Sequence, residues 1–198
     1  CGHKQLYIPI GCSMALFRSA EFACFSENNT NYQARKGSPD LGKFTLEGTR
    51  PFSAWFLHAA IQMHGQAGYS EVLDGNVKLA NTFHDLLQTH SSVEIYSKPD
   101  LNIMLYRFIP SHLRDLIQQG IHKEKALDEI NLLNEQLQQQ QFSEGRFFVS
   151  FTKVFDSKFG RDMVWLRAVF MNPFTTQEDM QDLLQDQQRI LHSILQVY

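Results

Sequence analysis

The chain has 198 residues, 43% hydrophobic and 20% charged, with a formal net charge of −3 at pH 7. That balance lies near the globular norm and far from the composition of disordered chains, and the length allows one domain, or one and a half. Slight acidity, with no lysine–arginine block and no aromatic-interleaved basic patch, gives no footprint for nucleic acid, and no apolar run approaches the roughly 20 residues that cross a bilayer.

Read in chain order, Cys1-Gly2-His3-Lys4 leads into the apolar run Gln5-Leu6-Tyr7-Ile8-Pro9. Gly11 to Arg18 is a short apolar stretch bounded by glycine and a polar residue, which predicts a buried strand. Ser26 to Asn31 is a polar cluster, and the polar character continues with interruptions to Gly48. A connection that long is more often functional than idle. A helix is expected over Arg50 to His64, with Pro51 in its first turn and Gly65 as its stop. A second follows from Ser70 to His90, with Val72, Leu73, Val77, Ala80, Phe83 and Leu87 on one stripe.

Beyond Pro99 the texture changes. Leu101 to Ile109 reads as a strand, Lys123 to Gln139 as a helix, and Arg146 to Phe155 and Met163 to Met171 as strands. A last helix starts at the capping-box sequence Thr175-Thr176-Gln177-Glu178 and carries Met180, Leu183, Leu184, Ile190, Leu191, Ile194 and Leu195 on its stripe. This order predicts a small α+β domain, an antiparallel sheet with helices on one face. The glutamine run 138–141 reads as a solvated helix end with no role.

Few residues stand out chemically. A lysine amine, once desolvated, is nucleophilic towards an aldehyde, yet by position alone Lys4 reads as a solvated surface group. Arg167 interrupts the apolar strand Met163 to Met171, so its guanidinium needs an anion: either a protein carboxylate in a structural salt bridge or a ligand. Arg107 also interrupts a strand, where a packing salt bridge is the favoured reading. The eight histidines contain no HxH or HxxxH pair, which leaves metal binding without support. Three cysteines, Cys1, Cys12 and Cys24, are odd in number and lack ligand spacing, which points to reduced thiols and a cytoplasmic location. Sixteen Phe imply extensive burial or a surface made for another subunit.

Three groups of segments, in this order, resemble one family. They are Gly2-His3-Lys4-Gln5-Leu6-Tyr7-Ile8-Pro9 with Gly11-Cys12-Ser13-Met14; then Arg35-Lys36-Gly37-Ser38 through Leu41-Gly42 to Thr45-Leu46-Glu47-Gly48-Thr49-Arg50; and lastly Phe148-Val149-Ser150 with Leu166-Arg167-Ala168-Val169-Phe170-Met171-Asn172-Pro173. Together they resemble the group II pyridoxal-phosphate decarboxylases, most of all the aspartate and glutamate decarboxylases. The resemblance implies the C-terminal part of a fold type I pyridoxal-phosphate enzyme, an α/β fold. Residues 1–92 would be the end of the large cofactor-binding domain with its connecting helices, and 93–198 a small C-terminal α+β domain. In the family the lysine lies well inside the chain, so the segments that stack on the pyridine ring and pair with its nitrogen would lie upstream of Cys1.

The implied roles follow residue by residue. Lys4 would hold pyridoxal 5'-phosphate as a Schiff base, with His3 against the cofactor. Thr49 and Arg50, at a helix start, would meet its phosphate or serve only the helix. Tyr32, in the long loop, would return a proton to the substrate α-carbon, or is an ordinary exposed tyrosine. Arg167 would clamp the side-chain carboxylate of the substrate. One departure concerns Cys1, which stands where the family usually has Asp or Asn near the phosphate. The implied function is decarboxylation of an acidic L-amino acid, aspartate or glutamate, by a homodimer, without nucleic-acid or membrane partners. The alternative is a non-catalytic C-terminal remnant; the isolated 198 residues are expected to be inactive.

Overall fold

The structure, a computed structural model, describes residues 2–22, 27, 41–44, 49 and 51–196. The chain divides into two compact units, Cys1–Tyr69 and Ser70–Tyr198.

In the first unit, residues 2–12 form a series of turns, Leu41–Phe44 form one 3-10 turn, and helix α1 (Ala54–Gln88) begins. The strand expected over Gly11 to Arg18 does not form. Ser13 to Ala20 are exposed, and no strand lies beside them among the described residues. An isolated strand leaves its N–H and C=O groups without a ladder, so an apolar run alone does not make one. The first helix starts at Ala54 rather than Arg50. Pro51 precedes it, and the Pro51 carbonyl accepts from Ser53 N–H at 2.8 Å. Gly65 is the break that was expected, at φ 61° and ψ −171°, a conformation open to glycine and strained for other residues. The helical run resumes after it, so α1 consists of two helical segments that meet at a kink at Gly65, in keeping with the two helices expected.

The second unit is built on a four-stranded antiparallel sheet in the order β1-β2-β4-β3, from β1 (Val93–Ile95), β2 (Ile103–Phe108), β3 (Ser150–Asp156) and β4 (Arg161–Val169). Its helices are α2 (Ser111–Gln119), α3 (Lys123–Glu144) and α4 (Gln177–Gln196). Strand alternation sends Met104, Tyr106, Phe108, Leu166 and Ala168 into one core with Ala80, Phe83 and Leu87 of α1, Leu133 and Leu137 of α3 and Leu184 and Ile190 of α4. Met163 and Trp165, of the opposite alternation in β4, join a second cluster with Leu113 of α2 and Leu127 and Ile130 of α3.

Buried amides tie α3 and α4 to the sheet. Asn134, fully buried, accepts from Phe108 N–H and donates to the Phe108 carbonyl, both at 2.9 Å. Tyr106 OH donates to Gln187 Oε1 at 2.9 Å, and Gln187 donates to Gln141; burial holds the Tyr106 phenol well above its ordinary range. The glutamine run is therefore not an idle, solvated end. Gln141 is buried, and Gln138 donates to the Val149 carbonyl at 3.1 Å.

The last helix is capped one residue later than expected. Thr176 Oγ1 accepts from Asp179 N–H at 3.2 Å, while Asp179 Oδ2 accepts from Thr176 N–H at 2.7 Å and from its hydroxyl. This is a capping box with aspartate in the closing place. Among the described residues, no helix is long and apolar enough to cross a membrane.

Candidate functional site

The Lys4 segment is held by short backbone bonds. Gly2 N–H donates to the Cys12 carbonyl at 3.0 Å, Ile8 N–H to the Gly2 carbonyl at 3.4 Å and Tyr7 N–H to the Lys4 carbonyl at 3.1 Å. Tyr7 takes a positive φ of 53°, which closes the turn at a cost that non-glycine residues rarely bear. Gly2 packs closely: a Cβ there would sit 2.4 Å from Ile8 Cδ1, so the Ile8 side chain would have to shift. Tyr69, 63 residues on, donates its hydroxyl to the Leu6 carbonyl at 3.0 Å. Sequence reading missed that tie, since nothing local signals so distant a bond.

On this clamped turn Lys4 is exposed and His3 half-buried, and neither side chain has an ion pair or hydrogen bond among the described residues. A cofactor aldehyde needs such an amine, reachable by the carbonyl carbon and committed to no carboxylate. Thr49 is exposed and precedes Ala54 by five residues, so it does not stand at the start of α1 as expected. Cys1, Tyr32 and Arg50 lie outside the described residues. Cys12 is a buried free thiol. No group of three or more His, Cys, Asp or Glu among the described residues could hold a metal.

Arg167 belongs to the second unit. In β4 it stands opposite Leu105 of β2 and Ser150 of β3, whose hydroxyl donates to the Arg167 carbonyl at 3.3 Å. The neighbouring pair on that face, Ile103 and Val169, is partly open, with exposures of 39% and 38%. Arg167 is half-buried, and no carboxylate pairs with it among the described residues.

The buried guanidinium is instead that of Arg107, 1% exposed. Its Nε donates to Glu94 Oε2 at 2.5 Å, its Nη2 also meets Glu94, and Asp156 Oδ2 lies 3.8 Å away. The Trp165 ring centroid lies 4.2 Å from its central carbon. Arg107 thus makes the structural salt bridge expected of it, and the salt-bridge reading of Arg167 finds no partner among the described residues.

The pyridoxal-dependent decarboxylase conserved domain matches residues 1–109, from the Lys4 turn to the end of β2, and the chain belongs to that family. Across 96% of the chain it is 31% identical to an aspartate 1-decarboxylase of Aliivibrio fischeri. It is 23% identical to an aromatic-L-amino-acid decarboxylase of Bacillus atrophaeus and 24% identical to an L-2,4-diaminobutyrate decarboxylase of Acinetobacter baumannii. The chain spans 36% of the length of the first two.

Among solved structures, mouse CSAD in apo form superposes with a TM-score of 0.70 at 14% identity, over 87% of this chain and 34% of that one. Oryza sativa TDC, solved with PLP and tryptamine, superposes with a TM-score of 0.61 at 17% identity, over 78% and 30%. These likenesses show the fold, the C-terminal portion of a fold type I pyridoxal-phosphate enzyme. The family's cofactor is pyridoxal phosphate, and the free, exposed amine of Lys4 fits its aldehyde.

Proposed function

We propose that this chain is the C-terminal part of a decarboxylase that removes the α-carboxylate of an acidic L-amino acid, aspartate or glutamate, as CO2. The observation that carries the choice of substrate is Arg167, a half-buried cation in β4 with no carboxylate paired to it among the described residues. A cation so placed rewards a second carboxylate on the substrate and leaves a neutral side chain unmatched. The 31% identity to an aspartate 1-decarboxylase, against 23% and 24% to the aromatic and diaminobutyrate enzymes, supports the same reading.

When bound, pyridoxal phosphate supplies an electron sink for the pair left on Cα as the bond to the carboxylate breaks. Residues of this chain would take several parts in it. Lys4 would hold the cofactor through Nζ at its aldehyde carbon. His3 would lie against the cofactor. Tyr32 delivers a proton to Cα after CO2 leaves and so completes the product amine. Thr49 and Arg50 would meet the cofactor phosphate. A homodimer is the proposed assembly, with cytoplasm as its location.

The test is borohydride trapping followed by peptide mapping, together with CO2 release from aspartate, glutamate and a neutral amino acid by the longer protein. Reduction is expected to fix the cofactor on Lys4. Arg167→Met is expected to lower kcat/KM for the acidic substrate by about 10- to 100-fold, the loss of one charge-assisted contact of about 1.4–2.8 kcal/mol. Equal losses for acidic and neutral substrates would refute the clamp. Absence of CO2 release with cofactor fixed on Lys4 would refute the decarboxylase reading.

A further inference from the structure

The second unit contains a cavity of about 230 Å³ whose walls include neither Lys4 nor Arg167. It lies where Glu94 of β1, Arg107 of β2, Arg114 of α2 and the Lys158–Phe159 turn between β3 and β4 meet, with Ile117 of α2 among its apolar walls. A water takes about 30 Å³ of liquid volume, so the space holds roughly seven waters, or a small oxyanion with an organic group.

The charges on these walls do not cancel. Three cations, Arg107, Arg114 and Lys158, face one carboxylate, Glu94. Neither Arg114 nor Lys158 makes an ion pair among the described residues; Lys158 Nζ lies only over the Phe159 ring, at 5.2 Å. Asp156, the other nearby acid, accepts from Lys158 N–H at 2.9 Å with one oxygen, and its other lies 3.8 Å from Arg107 Nη2. It is not part of the cavity lining.

The second observation is an orphan. Arg107 is 1% exposed, and its Nε and Nη2 are taken by Glu94, yet Nη1 is buried with no hydrogen-bond partner. A buried N–H of a charged group left unmade is costly, and structures seldom keep one without use. Arg107, which carries this unpaired donor, is one of the residues that line the cavity.

We propose that this cavity is an anion site that takes a phosphate-class dianion, either inorganic phosphate or a phosphate monoester. The excess of two positive charges on the walls matches a dianion. A monocarboxylate would leave one cation unmatched. Phosphate presents at least three acceptor oxygens, one for each of the three cations, which come from three different elements. Ile117 and Phe159 give the organic part of a monoester an apolar wall. Occupation would tie β2, α2 and the β3–β4 turn together.

The reporter is already in place, because the ring of Trp165 lies against Arg107. In the 198-residue chain carrying Trp55→Phe, Trp165 is the only tryptophan, and its fluorescence is titrated with sodium phosphate, with phenyl phosphate and with sodium chloride at matched ionic strength. A saturable change with phosphate and none with chloride is expected. Arg114→Gln with Lys158→Gln, both away from the buried ion pair, is expected to raise the half-saturating concentration at least about tenfold, with the circular dichroism spectrum unchanged. Tighter binding of phenyl phosphate would identify a monoester as the ligand, and equal binding inorganic phosphate. A response that is not saturable, that chloride reproduces, or that survives the double substitution undiminished would overturn the proposal.

Discussion

Replacing Glu94 by Gln isolates the cost of leaving a buried charge without its partner. Arg107 is 1% exposed and holds Glu94 by a 2.5 Å bond from Nε and a second contact from Nη2. Removing one member of a fully buried ion pair costs about 3–5 kcal/mol. Two features lower that figure here: the Glu94 side chain is 35% exposed, and Asp156 stays within 3.8 Å of the guanidinium. The expected loss is therefore about 2–3 kcal/mol. Arg107→Met makes the opposite experiment. It removes the charge, keeps a long apolar chain over Trp165 and leaves Glu94 able to turn to water, so its cost should stay below about 1 kcal/mol. Urea unfolding in the Trp55→Phe background, followed by Trp165 fluorescence and circular dichroism, gives both values, and equal slopes would confirm a common unfolded reference. An Arg107→Met chain less stable than the Glu94→Gln chain would refute the reasoning, because the pair would then be worth more than the desolvation of its cation.

Two further results are expected. Gly2→Ala should distort the Lys4 turn, since the added methyl meets Ile8 Cδ1 at 2.4 Å; the rate at which pyridoxal phosphate adds to Lys4, read by absorbance, should fall. Shortening the obstacle with Ile8→Ala in the same chain should restore it, and failure of that rescue would show that the contact is not the cause. The Asp179 carboxyl is held below its ordinary value chiefly by the Thr176 N–H, and then by the Thr176 hydroxyl. A carboxyl with a depressed folded pKa stabilises the fold fully above its unfolded value of about 3.9 and loses that contribution as pH falls through the lower, folded value. Wild type should accordingly lose more stability than Asp179→Asn on acidification through this range, and superimposable profiles of unfolding midpoint against pH would contradict the capping role.

The helices and central strands of the second unit were readable because their burial is periodic. Leu127, Ile130, Leu133 and Leu137 recur at helical spacing in α3, and Met104, Tyr106 and Phe108 alternate in β2. Strand β1 was not readable, since three residues carry too short a pattern. Helix α2 was not expected, although Leu113, Leu116 and Ile117 stand at helical spacing and Gly120 closes it at φ 69° with its N–H on the Ile117 and Leu116 carbonyls. The run over Gly11 to Arg18 shows the converse error. Apolar composition describes what a segment would bury, while a strand needs a neighbour to bond.

The two strand arginines show why the candidate site was harder to read than the fold. Arg107 and Arg167 look alike in sequence, each a cation within an apolar strand. Cross-strand register separates them: Arg107 lies opposite Glu94, and Arg167 lies between Leu105 and Ser150, neither of which carries charge. An acid in β1 therefore turns one arginine into a structural group, while the other has no acid opposite it. Neither periodicity nor composition contains that pairing. Once β1 is placed, the side chain of Arg167 is the unneutralised cation that the substrate proposal rests on, and Nη1 of Arg107 is the unmet donor that points to a second anion.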